Sequence, residues 1–290
     1  MRIDLHTHST ASDGTDSPAQ LVLAARAAGI DVLAITDHDT TAGWGEALAA
    51  RPDDMTIVPG TEFSCVYWTA EGRRIGLHLL GYLYDPDHPE LRAERARLRD
   101  SRLQRGRQMV ENMAADGIPI SWAQVQALAG GGPVGRPHLG RALVDAGVVP
   151  DVNTAFRDLL SSRQPYYVRK VDTDVFAAIA LIRAAGGLAV FAHPLARRRG
   201  PVVSDDVVAE MAAAGIVGLE VDHPDQDQSD RAQAAGLARE LGLIDVGSSD
   251  YHGSNKPTPL AACETDPESY AALVSLPSFG VPVGPSTGPP

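Results

Sequence analysis

The chain has 290 residues, 44% of them hydrophobic and 21% charged, enough for one large domain or a domain with a substantial insertion. No run approaches the about 18 apolar residues of a membrane span, and two cysteines, Cys65 and Cys263, exclude a disulfide scaffold. A formal net charge of −12 argues against stable binding to duplex nucleic acid, though not against a small anion held through a divalent metal.

The chain enters a strand pattern at once with "RIDLH" (2–6), leaving no room for a signal peptide and predicting a cytoplasmic protein. "SPAQLVLAARAAG" follows as a helix with Ser17 as N-cap, Pro18 in its first turn and Gly29 as its stop. Residues 31–39, 55–63 and 73–83 supply three more strands. A long interruption then spans 88–171. It opens with one helix ending at Gly117 that carries seven arginines from Arg92 to Arg107. These form either a solvated face partnered by Glu94, Asp100 and Glu111 or a face turned toward an anionic substrate. The "GGG" at 130–132 reads as a hinge. Alternation resumes with "VDTDVFAAIALIRAAGG", "LAVFAHP", "SDDVVAEMAAAG", "IVGLEVDHP", "QSDRAQAAGLARELG" and "LIDVGSSDYHG". About seven strand–helix steps predict a parallel α/β fold, closed as a barrel or open as a doubly wound sheet. The expected organisation is a barrel over 1–87 and 172–276, a helical insertion over 88–171, and a disordered Pro/Gly-rich tail over 277–290.

Seven of the nine histidines follow strand-like runs: His6, His8, His38, His78, His193, His223 and His252. Glu62 in "VPGTE" and Asp250 in "GSSD" occupy equivalent places, and Asp13 follows the "HTH" segment closely. In parallel α/β folds the C-terminal strand ends form the functional face, so imidazoles and carboxylates converge on one pole. Neutral imidazole with carboxylate and no nearby thiolate suits Zn²⁺, Mn²⁺ or Fe²⁺. His6 and His8, two apart on a strand, project to the same side and can share an ion. So many ligands exceed the three or four of one catalytic zinc and fit two or three bridged ions. Ions about 3.5–4 Å apart favour in-line displacement at phosphorus or hydrolysis of a carbonyl. No P-loop, dinucleotide fingerprint or G-x-S-x-G elbow is present.

"DLHTHSTASDG", "ITDHD", "PGTEFS", "LHLLGY", "VFAHP", "LEVDHP" and "GSSDYHG", in that order, resemble the PHP (polymerase and histidinol phosphatase) phosphoesterases. "GRPHLGRALV" and the "YV" segment after it resemble the branch that hydrolyses 3',5'-nucleoside bisphosphates to nucleoside 5'-monophosphates and trims 5' ends of short RNA in the 5'-to-3' direction. The resemblance implies a distorted (βα)7 barrel with a small helical insertion domain and a trinuclear site of Mn²⁺, Zn²⁺ or Fe²⁺. Carried over by motif, it gives His6, His8, Glu62 and Asp250 one ion and Asp13, His38 and His193 a second. Glu62 then bridges to a third held with His78 and His252. Many relatives have histidine where this chain has Asp13.

Asp37 is expected to orient a ligand. His223 is a proton donor to the leaving oxygen, a phosphate contact, or a plain rim residue. Arg136 and His138 are candidates for a second substrate phosphate, with helix capping as the alternative. Arg197, with Arg198 and Arg199, reaches an anion or forms an exposed basic loop. The expected activity is a metal-dependent phosphatase of small nucleotides or short single-stranded RNA, with no membrane and no obligate protein partner. Histidinol-phosphate phosphatase is one alternative and a non-catalytic metal-stabilised module another.

Overall fold

The computed structural model describes residues 1–130, 132 and 134–285. β1 (Ile3–Asp4), β2 (Val32–Ile35) and β3 (Thr56–Trp68) run parallel. α1 (Pro18–Ala27) and α2 (Trp44–Ala49) connect them. Ser17 caps α1 by accepting the Gln20 N–H, and Leu21, Val22 and Ala25 bury against Leu33, Ile35 and Ile57. β4 (Arg74–Tyr82) then reverses direction, antiparallel both to β3 and to β6 (Leu188–Ala192). The uninterrupted parallel alternation expected from sequence fails here because residues 69–73 alone separate the two strands, with Gly72 at φ +74°. A parallel crossover needs about a dozen residues, whereas a hairpin needs only a few.

β5 (Thr173–Asp174) pairs with the outer half of β3. α7 (Val175–Ala184), α8 (Asp205–Ala214) and α9 (Gln228–Leu241) alternate with β6, β7 (Gly218–Asp222) and β8 (Ile244–Gly247), and α10 (Pro267–Ser275) follows. A bridge between Thr7 and Tyr251, with the His8 N–H donating to the Tyr251 carbonyl at 2.9 Å, brings the two sheet edges together. The sheet order β1-β2-β3-β4-β6-β7-β8 is thus a nearly closed, distorted barrel. Leu5, Ala34, Val58, Leu80, Tyr82 and Val190 share one buried cluster in it, and the Tyr82 hydroxyl donates to the Leu5 carbonyl at 2.7 Å.

The interruption folds as α3 (Pro89–Ala115), α4 (Trp122–Leu128), α5 (Arg136–Asp145) and α6 (Val152–Ala155). It has a core of its own around Met109, Met113, Val125, Leu139, Leu143 and Leu160. The buried stripe of α3 passes through Leu91, Arg95, Leu98, Arg102, Arg105, Met109 and Met113, at helical spacing of three and four. Three arginines therefore lie on its inner face, while Arg97–Glu94 and Arg107–Glu111 pair on the outer one. Arg102 fastens α3 to the barrel: its Nε donates to Asp39 Oδ2 at 2.6 Å, and its Nη2 donates to the Ser64 hydroxyl.

The Gly130–Gly132 hinge reading rests partly on Gly131, which lies outside the described residues. In the segment expected to be a disordered tail, Phe279 and Gly280 donate backbone hydrogen bonds to Gly186 and Leu83, and Val283 exchanges a pair with Ile57. Residues 286–290 lie outside the described residues. No described helix is long and apolar enough to cross a membrane. Arg102→Met leaves Asp39 a buried carboxylate without its cation and is expected to cost about 3–5 kcal/mol, read as a lowered thermal midpoint. A loss below about 1 kcal/mol would show that the clamp contributes little.

Candidate active site

The chain turns sharply as it leaves each barrel strand at the mouth. His6 and His8 follow β1, Asp37 and His38 follow β2, His193 follows β6, His223 follows β7, and Asp250 and His252 follow β8. Glu62 and His78 lie within β3 and β4, because this ribbon continues past the mouth. His193 and Asp250 adopt φ of +32° and +51°, a left-handed backbone that non-glycine residues hold only where neighbours enforce it. At His193 the enforcing group is Glu220, whose Oε2 accepts its N–H at 2.7 Å.

The first grouping joins His6, His8, Glu62 and Asp250, all buried. His6 Nε2 and His8 Nε2 stand 3.0 Å apart, 3.2 and 3.1 Å from Glu62 Oε2, and 3.5 and 3.3 Å from Asp250 Oδ1. Ligands bound at about 2.0–2.2 Å in a tetrahedron stand about 3.4 Å apart, so these edges enclose the volume of one ion. His38 Nδ1 and His78 Nδ1 lie 3.0 and 2.6 Å from Glu62 oxygens, yet neither makes an aligned hydrogen bond. Lone pairs that crowd a carboxylate without bonding to it are aimed at a shared point, and the donor set fits divalent ions.

The other groupings differ from the motif-based partition. His252 Nε2 lies 3.5 Å from Asp13 Oδ1 and His38 Nε2 3.8 Å from Asp13 Oδ2. His193 Nε2 instead lies 3.1 Å from Glu62 Oε1, the oxygen that also faces His78. His193 and His252 thus exchange places. The cause is topological: barrel closure sets the loop after β8 beside the loop carrying Asp13, where Asn255 donates to the Asp13 carbonyl at 2.9 Å. His193 follows β6, whose Ala192 pairs with His78.

Hydrogen bonds sort the imidazoles by tautomer. His6 Nδ1 donates to Glu220 at 3.0 Å and His252 Nδ1 to the Asp250 carbonyl at 2.8 Å, which frees both Nε2 atoms to ligate. Ser12 gives its proton to Asp37 at 2.6 Å, so at 3.3 Å it can only accept from His8 Nδ1. His223 is the opposite case. Its Nδ1 accepts the Asp225 N–H at 3.0 Å, so Nε2 carries the proton and faces Asp250 Oδ2 at 3.3 Å. It is built to donate.

Burial opposes charge on His8, but Asp250 and Glu62 outweigh it and hold its pKa up at about 9. Burial, helped by Arg199, pushes His193 down to about 3, and burial with Lys256 does the same for His252. Burial raises Glu220, yet His6 and His223 outweigh it and keep the carboxyl ionised, at about 2.

The remaining candidates separate clearly. Asp37 faces the "HTHSTASDG" loop, accepting from the Ser9 N–H at 2.8 Å and hydroxyl at 2.7 Å, and acts on His8 through Ser12. His138 caps α5, its Nδ1 accepting the Gly135 N–H at 3.0 Å, which leaves its Nε2–H as a donor. Arg136 lies over Phe156 and Tyr167, 5.2 and 5.7 Å from their ring centres. Arg197 turns away to Asp230 at 2.9 Å, and it is Arg199 that enters the site, bonding Asp250 alongside Lys256. Arg105 is buried with its Nε unpaired, and burial with Arg136 and Arg102 nearby pushes its pKa down to about 9. Glu220, Arg105 and Lys256 were not singled out from sequence. Glu220 lies inside a strand, and Arg105 is one of several arginines on one helix.

Glu220→Gln is expected to leave the fold intact but weaken divalent-metal affinity about 10–100-fold, measured by titration of chelated protein; unchanged affinity would remove its role. Because His8 is protonated at neutral pH without metal, loading releases its proton. The His6 pKa is raised as well, so apparent affinity should rise by about tenfold or more per pH unit across the neutral range. A flat profile between pH 6 and 8 would contradict this.

Residues 4–92 match the PHP domain. A 5'-3' exoribonuclease from Haemophilus influenzae is 36% identical over 87% of this chain and 90% of its own. A 3',5'-nucleoside bisphosphate phosphatase from Chromobacterium violaceum is 35% identical over 86% of this chain and 87% of its own. The structure of a predicted metal-dependent phosphoesterase from Bifidobacterium adolescentis superposes with a TM-score of 0.88 at 35% identity, covering 96% of both chains. With the clustered His, Asp and Glu groups that suit divalent metal, these likenesses identify the chain as a member of the PHP family, a metal-dependent hydrolase of phosphoester bonds.

Proposed function

We propose that the protein hydrolyses the 3'-phosphoester of nucleotides that also carry a 5'-phosphate, with 3',5'-nucleoside bisphosphate as the simplest substrate. Short 5'-phosphorylated RNA offers the same pair of groups. The observation that carries this reading is the cluster of basic side chains Arg105, Arg136 and His138 near Asp13, with the Arg105 Nε buried and unpaired. Arg136 lies close enough to Arg105 to lower its pKa, Arg102 lowers that of Arg136, and a Cβ on Gly135, which precedes Arg136, would stand 3.3 Å from the Asp13 carboxylate. Buried cations that lack a carboxylate partner are costly and call for an anion from outside.

In this reading the cluster holds the 5'-phosphate through guanidinium contacts and the His138 Nε2–H. That anchor places the 3'-phosphorus over the metal ligands. Three divalent ions, Mn²⁺ first and Zn²⁺ or Fe²⁺ next, would be held by His6, His8, Glu62 and Asp250, by Asp13, His38 and His252, and by Glu62, His78 and His193. Bound there, they supply Lewis-acid charge to the phosphoryl oxygens and lower the pKa of the attacking water. Arg199 and Lys256 lie on the outer oxygen of Asp250 and can take up charge developing on the phosphoryl group. His223 Nε2–H stands beside them and can protonate the leaving 3'-oxygen. A histidinol phosphate would bring an ammonium to the cluster, where arginines repel it.

With Mn²⁺, phosphate release from adenosine 3',5'-bisphosphate should exceed that from histidinol phosphate by at least about 100-fold in kcat/KM; the reverse order would overturn the substrate reading. Arg105→Met should raise KM for the bisphosphate about 10–100-fold with a smaller change in kcat, and should raise the thermal midpoint in anion-free buffer. A fall in kcat with KM unchanged would place Arg105 elsewhere in the reaction.

A further inference from the structure

The β3–β4 ribbon carries a second feature out of the barrel mouth. Glu62 and Trp68 lie six residues apart on β3, and His78 and Arg74 four apart on β4, so all four share one face of the ribbon. The register pairs Ser64 with His78 and Trp68 with Arg74. Between them Gly76 is exposed and places no side chain on that face. At about 3.3 Å per residue, Trp68 stands about 20 Å beyond Glu62.

Trp68 is 50% exposed, so its ring face is open to solvent. It lines a groove of about 490 Å³ together with Arg73, Arg74, Arg169 and Pro201. Pro201 lies two residues beyond Arg199, which enters the metal site. Around the groove, cations outnumber carboxylates on a chain whose net charge is −12. Asp172 pairs with Arg74 and Lys170, and Glu71 with Arg73. Arg169 has no carboxylate within ion-pair distance among the described residues. Tyr167 connects the two regions: Arg136 of the anion pocket lies over its ring, and its hydroxyl and Arg169 both act on the charge of Arg74.

We infer that this aromatic and basic track is a binding site for the 3' portion of a single-stranded RNA whose 5'-phosphate occupies the Arg105–Arg136 pocket. It rests on the 5'-phosphate reading above and adds to it a site the small bisphosphate never reaches. Stacking on an exposed indole flanked by arginines is how single strands are held without regard to sequence, whereas an acidic peptide has no base to lay on the ring. At about 3.4 Å per nucleotide in a stacked strand, about six nucleotides reach Trp68 and a dinucleotide does not.

The test compares Trp68→Ala, Trp68→Phe and wild type in the full chain. Fluorescence anisotropy with a labelled 5'-phosphorylated hexanucleotide on chelated protein reads binding, and Mn²⁺-loaded assays read hydrolysis of the hexamer, a 5'-phosphorylated dinucleotide and adenosine 3',5'-bisphosphate. The hexamer should bind Trp68→Ala about 5- to 100-fold more weakly, with Trp68→Phe recovering most of the loss and the two short substrates unchanged within about twofold. Equal hexamer binding by wild type and Trp68→Ala, or an equal loss on all three substrates, would overturn the inference. A wild type that hydrolyses the bisphosphate but does not bind the hexamer also overturns it and leaves the bisphosphate reading standing. Failure on every substrate would instead sink the functional reading itself.

Discussion

The structure depends on one buried carboxylate. Glu62 is 1% exposed and has imidazole nitrogens of His6, His8, His38, His78 and His193 within 3.2 Å of its two oxygens. A charge in that position survives only if opposite charge converges on it. The imidazoles, with the ions they are suited to hold, meet that need, and they arrive from four places in the barrel: after β1 (His6 and His8), after β2, within β4 and after β6. Closure of the barrel, reversal of β4 and the tight turns after the strands all serve to bring those groups to one oxygen pair.

Supporting contacts hold the cluster in place. Glu220 is shared among the His6 ring, the His193 backbone and the Ser248 hydroxyl, so it fixes one tautomer and one strained turn together. Asp37 does the same for the loop carrying His8, through Ser9 and Ser12. Arg102 and Arg99 tie the helical insertion to Asp39, itself at φ +54° one residue past His38. The insertion is therefore fixed relative to the metal ligands, and its arginine cluster stands at a set position from them. In the proposed reading, an anchor at that fixed separation from the metal ligands would select a molecule with two phosphates.

Much of this was legible in the sequence because histidines at strand ends are read from period and order alone. The α/β alternation and the ligand types followed from that pattern, while the barrel rather than an open doubly wound sheet came from the family resemblance. The pairing of His193 with Glu62 and of His252 with Asp13 was not legible, since it depends on which strands meet at closure, and the bridge from Thr7 to Tyr251 has no local signature. The reversed β4 could have been found from the nine residues, 64–72, between the two strand patterns, fewer than the dozen a parallel crossover needs. Arg105 had a signal too: with Arg95 and Arg102 it falls at spacings of three and four in line with Leu91, Leu98, Met109 and Met113. Arg199 rather than Arg197 reaches Asp250 because of how the short 3₁₀ turn over Arg197–Arg199 is oriented, which three identical residues in a row cannot reveal.

The central claim is that an anchored 5'-phosphate positions the 3'-phosphorus at the metal ligands. The most direct test is the ratio of kcat/KM for adenosine 3',5'-bisphosphate to that for adenosine 3'-monophosphate, measured on the same Mn²⁺-loaded protein. The account predicts a ratio of at least about 100, because removing the 5'-phosphate leaves buried guanidinium groups without their partner. A ratio near one would contradict it.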